Sequence, residues 1–390
     1  MRYRQTVLQI ITIILSAVCV LAAHFYIVDN GTVFKGTMEG KTIKAEVLRV
    51  NHIIKSNPGE DNAGEFLTVE FSARALNSDI RGKTVNVIQE IDKSYAFSPK
   101  EVKQGDKILI EAYTERGVTS YYFGDYVRIT PLIFLGVIFC LLIIAFSGTQ
   151  GLRTITSLGI TCLFVFTVLL PAILNGKNIY LWTLIGCVFI TASTLAVIGG
   201  YSKKTLCAFT GCISGVLCAG LTTVITDKFL NLTGMLEEES VYLYQLYPDN
   251  PINLKAIIFA MITVGALGAV MDVAMSISSS LFELKEKSPS IKQSELMKSG
   301  FTIGRDMMGT MANTLVLAYI GSSLTCVLLL VAYNANIQQV INKEIIISDI
   351  LQALAGSMGM LLTLPLTSAV CSVIYNRRNN NVSDKNEPSA

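Results

Sequence analysis

The stretch IIFAMITVGALGAVMDVAMSISSSL, residues Ile257–Leu281, decides the fold class because a long apolar run carries a single charged side chain, Asp272. A helix needs about 20 apolar residues to cross a hydrocarbon core roughly 30 Å thick, so this run predicts a membrane-spanning helix. A carboxyl group inside such a helix costs about 2.5–3.5 kcal/mol on insertion scales. Asp272 is therefore the first candidate for a functional residue.

The composition of the whole chain leads to the same fold class. Charged residues make up 15% of the sequence and the mean hydropathy is +0.52, whereas a soluble domain has roughly 25% charged residues. We expect an α-helical polytopic membrane protein with about eight spans. These are Val7–Val28, Ile129–Phe146, Leu152–Leu174, Ile179–Ile198, Thr205–Ile225, Ile257–Leu281, Thr310–Tyr333 and Ile347–Tyr375.

A more polar segment, residues 29–128, separates the first two spans and reads as a small β-barrel-like domain. Its short runs are rich in β-branched and aromatic residues, and turn signals such as Asn57-Pro58-Gly59 and Arg81-Gly82-Lys83 separate them. Five such runs favour an SH3-like or OB-like barrel. They are residues 41–50, 65–71, 83–91, 106–113 and 120–127. The aromatic residues are not paired with a basic stripe, so we expect a protein-binding or structural module rather than a nucleic-acid binder.

Lysine and arginine in the loops predict the orientation. With the N-terminus in the cytoplasm, 13 of these residues flank the spans inside and 5 outside, which is the bias expected of cytoplasmic loops. We therefore expect a multi-pass protein of the bacterial plasma membrane, with both termini cytoplasmic and the β domain extracytoplasmic. The predicted parts are a signal-anchor span (1–28), the β domain (29–128), a seven-span bundle (129–376) and a disordered cytoplasmic tail (377–390). A cleaved signal peptide is the alternative for the first part.

Small and polar residues around Asp272 share one helical face, since they recur at spacings of three and four. They are Gly265, Ala269, Asp272, Ser276, Ser279 and Glu283. One interpretation is a proton or cation relay, and the other is a buried structural carboxylate satisfied by neighbouring serines. The predicted relay residues are Asp272, Ser276, Ser279, Asn313 and Thr314, and the predicted cytoplasmic gate is Glu283, Arg305 and Asp306. For Asn313 the alternative role is to fasten two helices.

Glycines at helical spacing predict close contacts between spans, because small residues let helix backbones approach. The predicted packing positions are Gly211, Gly215, Gly265, Gly309, Gly321, Gly356, Gly359 and the helix-interrupting Pro365.

Several classes of function are excluded by what the sequence contains. All nine cysteines lie in apolar runs without a CxxC pair, and the chain has two histidines, so we expect neither a disulfide framework nor a metal site. No nucleotide-binding or hydrolase motif occurs. An intramembrane aspartyl protease needs a second central carboxylate, and Asp306 and Asp349 lie near span ends. We expect no enzymatic activity and no cofactor.

Four stretches resemble the YibE/F family of bacterial multi-spanning membrane proteins. They are residues 198–217, GALGAVMDVAMSISSSL at 265–281, GRDMMGTMANTLVLAYIGSSL at 304–324 and AGSMGMLLTLPLT at 355–367. The resemblance implies an integral membrane protein and no known site residues. The order of elements is also similar to one half of the resistance-nodulation-division transporters, an analogy of organisation alone.

Two functions remain open from the sequence. The first is a secondary transporter or ion-coupled permease with a relay at Asp272, which acts on an unknown small solute or ion within the lipid bilayer. The alternative is a non-transporting scaffold or sensor that binds a protein partner through its outer β domain.

Overall fold

The computed structural model of the chain describes residues 2–28, 41–56, 66–93, 100–115, 118–236, 238–245, 251–333 and 336–383. They form two compact units. One comprises Met1–Val33 with Ile143–Ala390 and is helical, and the other, Phe34–Leu142, contains the β domain.

The described helices begin and end as follows. They are α1 (Arg2–Ile27), α2 (Ile129–Phe164), α3 (Leu170–Leu174), α4 (Ile179–Gly199), α5 (Lys203–Leu230), α6 (Glu238–Gln245), α7 (Leu254–Lys287), α8 (Gln293–Ala332), α9 (Ile337–Ile341) and α10 (Glu344–Ser383). A π-helical turn, Val165–Leu169, joins α2 to α3. The helix α10 runs into the segment predicted as a disordered tail, because no glycine or proline interrupts residues 376–383. Residues 384–390 lie outside the described part.

Seven helices in the described residues are long and apolar enough to cross a membrane, compared with the eight spans predicted. The difference arises at Gly148, where the run Ile129–Leu174 unites two predicted spans. There φ is 55° and ψ is −128°, which is not helical. A Cβ at Gly151 would lie 2.5 Å from the carbonyl oxygen of Ile143, although an unbroken helix would separate these residues by about 12 Å. The chain therefore bends sharply at Gly148, and the number of crossings stays a prediction.

The β domain is a closed five-stranded barrel, which confirms a small barrel near the N-terminus. Its strands are β1 (Lys41–Ser56), β2 (Phe66–Ala75), β3 (Thr84–Asp92), β4 (Lys107–Glu115) and β5 (Val118–Tyr126). Their order around the barrel is β1-β2-β3-β5-β4, with all pairs antiparallel except β3 and β5. This is the order of an OB-fold rather than an SH3-like barrel. The predicted turn at Asn57-Pro58-Gly59 lies outside the described residues.

Apolar side chains at alternate positions of the strands fill the barrel, as the sequence predicts. Ile43, Ala45 and Val47 point inward from β1, and Phe71 of β2 is fully buried among them. The strand β1 extends to Ser56, beyond the predicted run, and has register irregularities between Val47 and Arg49 and between Val50 and His52. Such irregularities bend a strand, which lets one long strand pair with both β2 and β4.

Three helices, α5, α7 and α10, form the centre of the helical unit, and glycines set their spacing. A Cβ at Gly211 would overlap the Thr367 hydroxyl, and a Cβ at Gly215 would overlap that of Thr363. From the opposite helix, a Cβ at Gly359 would lie 2.7 Å from the Cβ of Ala219. The backbones of α5 and α10 are therefore in direct contact, and larger side chains do not fit between them.

The first helix packs into the same unit through polar contacts. Gln9 donates to the carbonyl oxygen of Val197 at 3.3 Å, and the Thr12 hydroxyl lies 2.7 Å from that of Tyr201. Pro171 has no N–H, so the carbonyl oxygen of Thr167 has no donor four residues later in its own helix. The Nδ1 of His24 lies 2.7 Å from that oxygen and satisfies it. Retention of this helix as a signal anchor stays a prediction.

Candidate functional site

Asp272 lies in the middle of α7, on the side turned away from the helical core. Its side chain is exposed, whereas Val270 and Val273 on the opposite side are fully buried. A Cβ at Gly268, one turn earlier, would meet no atom within 4 Å. Among the described residues, no side chain forms a hydrogen bond or an ion pair with Asp272. The structural interpretation required hydrogen bonds from neighbouring serines to this carboxylate, and the described residues form none.

The other residues predicted on this face follow α7 toward its C-terminal end. Ser276 and Ser279 are half-buried, and Glu283 is exposed. Ser278 lies outside the predicted face. Its buried hydroxyl lies 2.7 Å from the carbonyl oxygen of Lys204 and 2.8 Å from the hydroxyl of Tyr375. Ser278 therefore ties α5, α7 and α10 together.

The residues predicted on α8 do not join Asp272. Asn313 and Thr314 are exposed, and the Thr314 hydroxyl donates to the carbonyl oxygen of Thr310 in its own helix at 2.9 Å. No hydrogen bond links Asn313 with Asp272 in the described part of the chain. The relay between them stays a prediction, and this structure does not bring the two side chains together.

The predicted gate residues divide between two places. Arg305 lines a cavity of about 430 Å³ between α8 and α10, together with Thr302 and Pro365. Asp306 is exposed on the adjacent position of α8 and does not line this cavity.

The predicted packing residues outside the α5–α10 contact also differ in their surroundings. A Cβ at Gly356 would lie 3.2 Å from a methyl group of Leu315, which is a close helix contact. At Gly309 and Gly321, a Cβ would meet no atom within 4 Å, so the described chain offers these two glycines no neighbour.

The polar face of α7 meets two side chains that the sequence analysis did not select. A Cβ at Gly265 would lie 2.9 Å from the Tyr319 hydroxyl and 3.3 Å from the side-chain nitrogen of Gln352. Gly265 thus admits polar groups from both α8 and α10 at one end of the face. In the sequence, Tyr319 is one aromatic residue within an apolar run. Its spacing from other residues does not distinguish it from its neighbours, so the sequence could not identify it as a contact of Gly265.

Asp349 is a further carboxylate in an apolar helix, and the sequence analysis placed it near a span end. It lies in α10, half-buried, and accepts a hydrogen bond from the Ser323 hydroxyl of α8. Both residues line a cavity of about 250 Å³, and Tyr319 lines it as well. The apolar residues on both sides of Asp349, in IIISDILQAL, were a signal that could have found it.

The barrel has its own polar surface, which is the candidate for a partner contact. A cavity of about 490 Å³ at one end of the barrel is lined by Lys41, Asp79 and Tyr113, among others. The Lys41 ammonium donates to Asp79 and lowers the pKa of that carboxyl. The Tyr113 hydroxyl donates to Glu111 at 2.6 Å, which raises the pKa of the tyrosine.

The described residues contain no group of three or more His, Cys, Asp or Glu side chains placed to hold a metal ion.

Comparison with known proteins gives one match. The family model described as YibE/F-like protein matches residues 135–377, which include the polar face of α7, the Asp349 cavity and the α5–α10 contact. No curated protein and no solved structure matches the chain.

Proposed function

The chain belongs to the YibE/F-like protein family, and from this premise we propose that it is an ion-coupled secondary transporter. The proposed transport path follows the polar face of α7, with Asp272 as the group that takes up and releases a proton or cation. The observation that carries the proposal is the exposed Asp272 carboxylate, which has no partner in the described chain.

The physical argument concerns what can lie against this carboxylate. Ionisable side chains inside spanning helices face the bundle interior or a water-filled cavity, because contact with lipid leaves their charge unsatisfied. The open Gly268 provides room beside Asp272 for water or a solute. A carboxylate whose counter-ion is absent from its own chain suits reversible uptake of a cation better than a permanent structural bond.

The length of the polar face also supports a path across the membrane. From Gly265 to Glu283 the helix rises about 27 Å, close to the roughly 30 Å of a hydrocarbon core. Asp272 lies between these ends, about 10 Å from Gly265 along the axis. A solute or proton that follows the face thus meets polar groups at both ends and a carboxylate between them.

The proposed location is the bacterial plasma membrane, with the C-terminal end of α7 in the cytoplasm and the barrel outside. Lys285 and Lys287 in the last turn of α7 support this orientation, because basic residues concentrate in cytoplasmic loops. The Glu283 end of the path is then cytoplasmic and the Gly265 end is outer.

The test is rescue of a deletion strain whose growth is profiled across metals, salts, pH values and toxic solutes. We expect wild type to rescue a solute-specific defect and Asp272→Asn to fail at normal protein levels. The asparagine amide is uncharged and does not titrate, so it can neither take up a proton nor attract a cation as the carboxylate does. The matched control is Glu286→Gln, an exposed carboxylate on the same helix beyond the polar face, which should rescue fully. Full rescue by Asp272→Asn would remove the relay.

A second function has its own supporting observation. The barrel is a separate compact unit with a polar cavity, as a scaffold or sensor that binds an envelope component or a protein partner would require. In that case deletion of residues 31–126 destroys function while Asp272→Asn leaves it intact. A truncated protein that still rescues growth rejects this alternative. The absence of enzymatic activity stays a prediction.

A further inference from the structure

The cavity at one end of the barrel has a polar rim above an apolar floor. Its volume is about 490 Å³, within the range of about 300–1,000 Å³ that small-molecule sites occupy. The buried side chains of Ile43 and Ala112 line it from inside the barrel, next to the ring of Tyr121. An OB-fold usually binds its ligand on the face of strands two and three. No residue of β2 or β3 lines this cavity, so it is a separate place on the barrel.

The rim presents hydrogen-bond donors and acceptors of both charge signs. Lys41, at the start of β1, donates to Asp79 in the loop between β2 and β3. An ammonium group has three donors and a carboxylate about four lone-pair sites, so this one bond leaves most of both groups available. The hydroxyl groups of Ser78 and Tyr121, which also line the cavity, form no hydrogen bond within the described part of the chain. The cavity therefore offers unused polar groups to a ligand.

The loop that carries Ser78 and Asp79 is fixed to β1 by its own hydrogen bonds. The backbone N–H of Lys44 donates to the side chain of Asn77 at 2.7 Å, and the N–H of Leu76 donates to the carbonyl oxygen of Lys44 at 2.7 Å. Ser78 has a φ of 72°, a conformation that residues other than glycine rarely adopt. Such a conformation persists only where the surrounding structure imposes it. The rim is thus preorganised, which lowers the cost of ordering it around a ligand.

We propose that this cavity binds a neutral sugar, as one pyranose unit of an uncharged saccharide. Each sugar hydroxyl both donates and accepts hydrogen bonds, and the rim supplies partners of both kinds. The apolar C–H face of a pyranose ring suits the floor and the ring of Tyr121, since an aromatic side chain combines an apolar body with a polar tip.

The charges around the cavity favour a neutral ligand over an ionic one. Lys41 and Asp79 are the charged residues that line it, and they neutralise each other. A phosphate or a carboxylate would meet the Asp79 charge as well as the Lys41 charge, and like charges brought together oppose binding. A peptide strand is a poorer fit too, because strand addition needs a free sheet edge and the described strands close into a barrel.

The statement that this sugar belongs to a polymer of the cell envelope rests on the second proposed function, in which the barrel binds an envelope component. Binding of a free glycoside in the cavity does not depend on that function. The two statements are therefore tested by different measurements, one of binding and the other of growth.

The experiment measures binding of methyl glycosides to the purified full chain by saturation-transfer NMR. The neutral probes are the methyl glycosides of glucose, galactose, mannose and N-acetylglucosamine. The detergent is a polyoxyethylene ether, because a maltoside would compete through its own sugar headgroup. We expect wild type to bind at least one probe saturably. Binding should be at least about tenfold weaker in Asp79→Ala, since a hydrogen bond to a charged group contributes about that factor.

A second variant tests the floor of the cavity. Tyr121→Leu keeps an apolar contact with the barrel core but removes the ring and the hydroxyl, so it should lose binding as well. The matched control is Asp125→Ala, which removes an exposed carboxylate from a comparable surface ion pair, with Arg128, outside the cavity. This control should bind the probe like wild type.

Three results would overturn the proposal. They are no saturable binding of any neutral probe by wild type, equal binding by wild type and Asp79→Ala, or tighter binding of methyl glucuronide, which would assign the cavity to an anionic ligand. Asp272→Asn should bind the probe normally, so failure of the transport proposal leaves this site untouched. An Asp79→Ala protein that loses the probe and still rescues growth would reject the envelope-binding function and retain the sugar site.

Discussion

Replacement of Gly215 by alanine tests the direct contact between α5 and α10. The new Cβ would overlap the Thr363 hydroxyl, lie 2.8 Å from a methyl group of Val270 and 3.0 Å from the carbonyl oxygen of Gly359. Carbon atoms do not approach so closely, so Thr363 must rotate or the helices must separate. Rotation breaks the 2.7 Å bond from the Thr363 hydroxyl to the Gly359 carbonyl oxygen.

The expected cost follows from three contributions. Overpacking of a tight core costs about 1–3 kcal/mol, and loss of this hydrogen bond within α10 costs about 0.5–1.5 kcal/mol. Alanine gains up to about 1 kcal/mol of helix propensity over glycine. We therefore expect Gly215→Ala to lower the free energy of unfolding by about 1–3 kcal/mol, which corresponds to a Tm lower by about 2–12 °C.

Gly268→Ala is the matched control, since it makes the same change in a neighbouring helix where a Cβ meets no atom within 4 Å. It should leave the Tm unchanged or raise it by a few degrees through helix propensity. The two variants are heated in the same detergent, and the Tm of each is measured from the loss of its monodisperse peak in size-exclusion chromatography. Equal Tm values for the two variants, or a lower value for Gly268→Ala, would refute the packing argument.

Three further substitutions have expected outcomes. Phe71→Ala should destabilise the barrel by about 3–5 kcal/mol because Phe71 is fully buried, whereas Phe66→Ala, at 43% exposure in the same strand, should cost less than about 1 kcal/mol. Hydrogen exchange of the strand amides in the full chain compares the two, and similar exchange rates would contradict the barrel core. Thr12→Val removes the bond to Tyr201 and should lower the Tm of the whole protein, by up to about 4 °C; an unchanged Tm would show that this contact contributes nothing. Gly148→Ala places a side chain at a positive φ and should cost about 1–2 kcal/mol; a Tm equal to that of wild type would mean that the bend is not required.

The helices and the barrel could be predicted because their signals are local. The run around Asp272 and the alternation at Ile43, Ala45 and Val47 each follow from one segment and its solvent. The strand order around the barrel could not be predicted in the same way, since it depends on pairs such as Ile88 with Tyr122 that lie far apart in sequence.

The candidate site shows the same limit. Periodicity identified the face of Asp272, but spacing within one helix says nothing of which side chains neighbouring helices present to it. Asn313 was expected near Asp272 and lies exposed on α8, while Tyr319 and Gln352 reach Gly265 instead. The depth of Asp349 in its cavity depends on how α8 and α10 pack, and that register is a tertiary property.

The polar contacts of α1 have a consequence for the timing of biosynthesis. Gln9 and its acceptor Val197 are 188 residues apart, and His24 and Thr167 are 143 apart. At translation rates of about 5–20 residues per second, synthesis of the 188 residues from Gln9 to Val197 takes roughly ten to forty seconds. During that interval its buried-side polar residues have no partner in the chain. The contacts that hold α1 in the helical unit therefore form only after the chain has been made through α4.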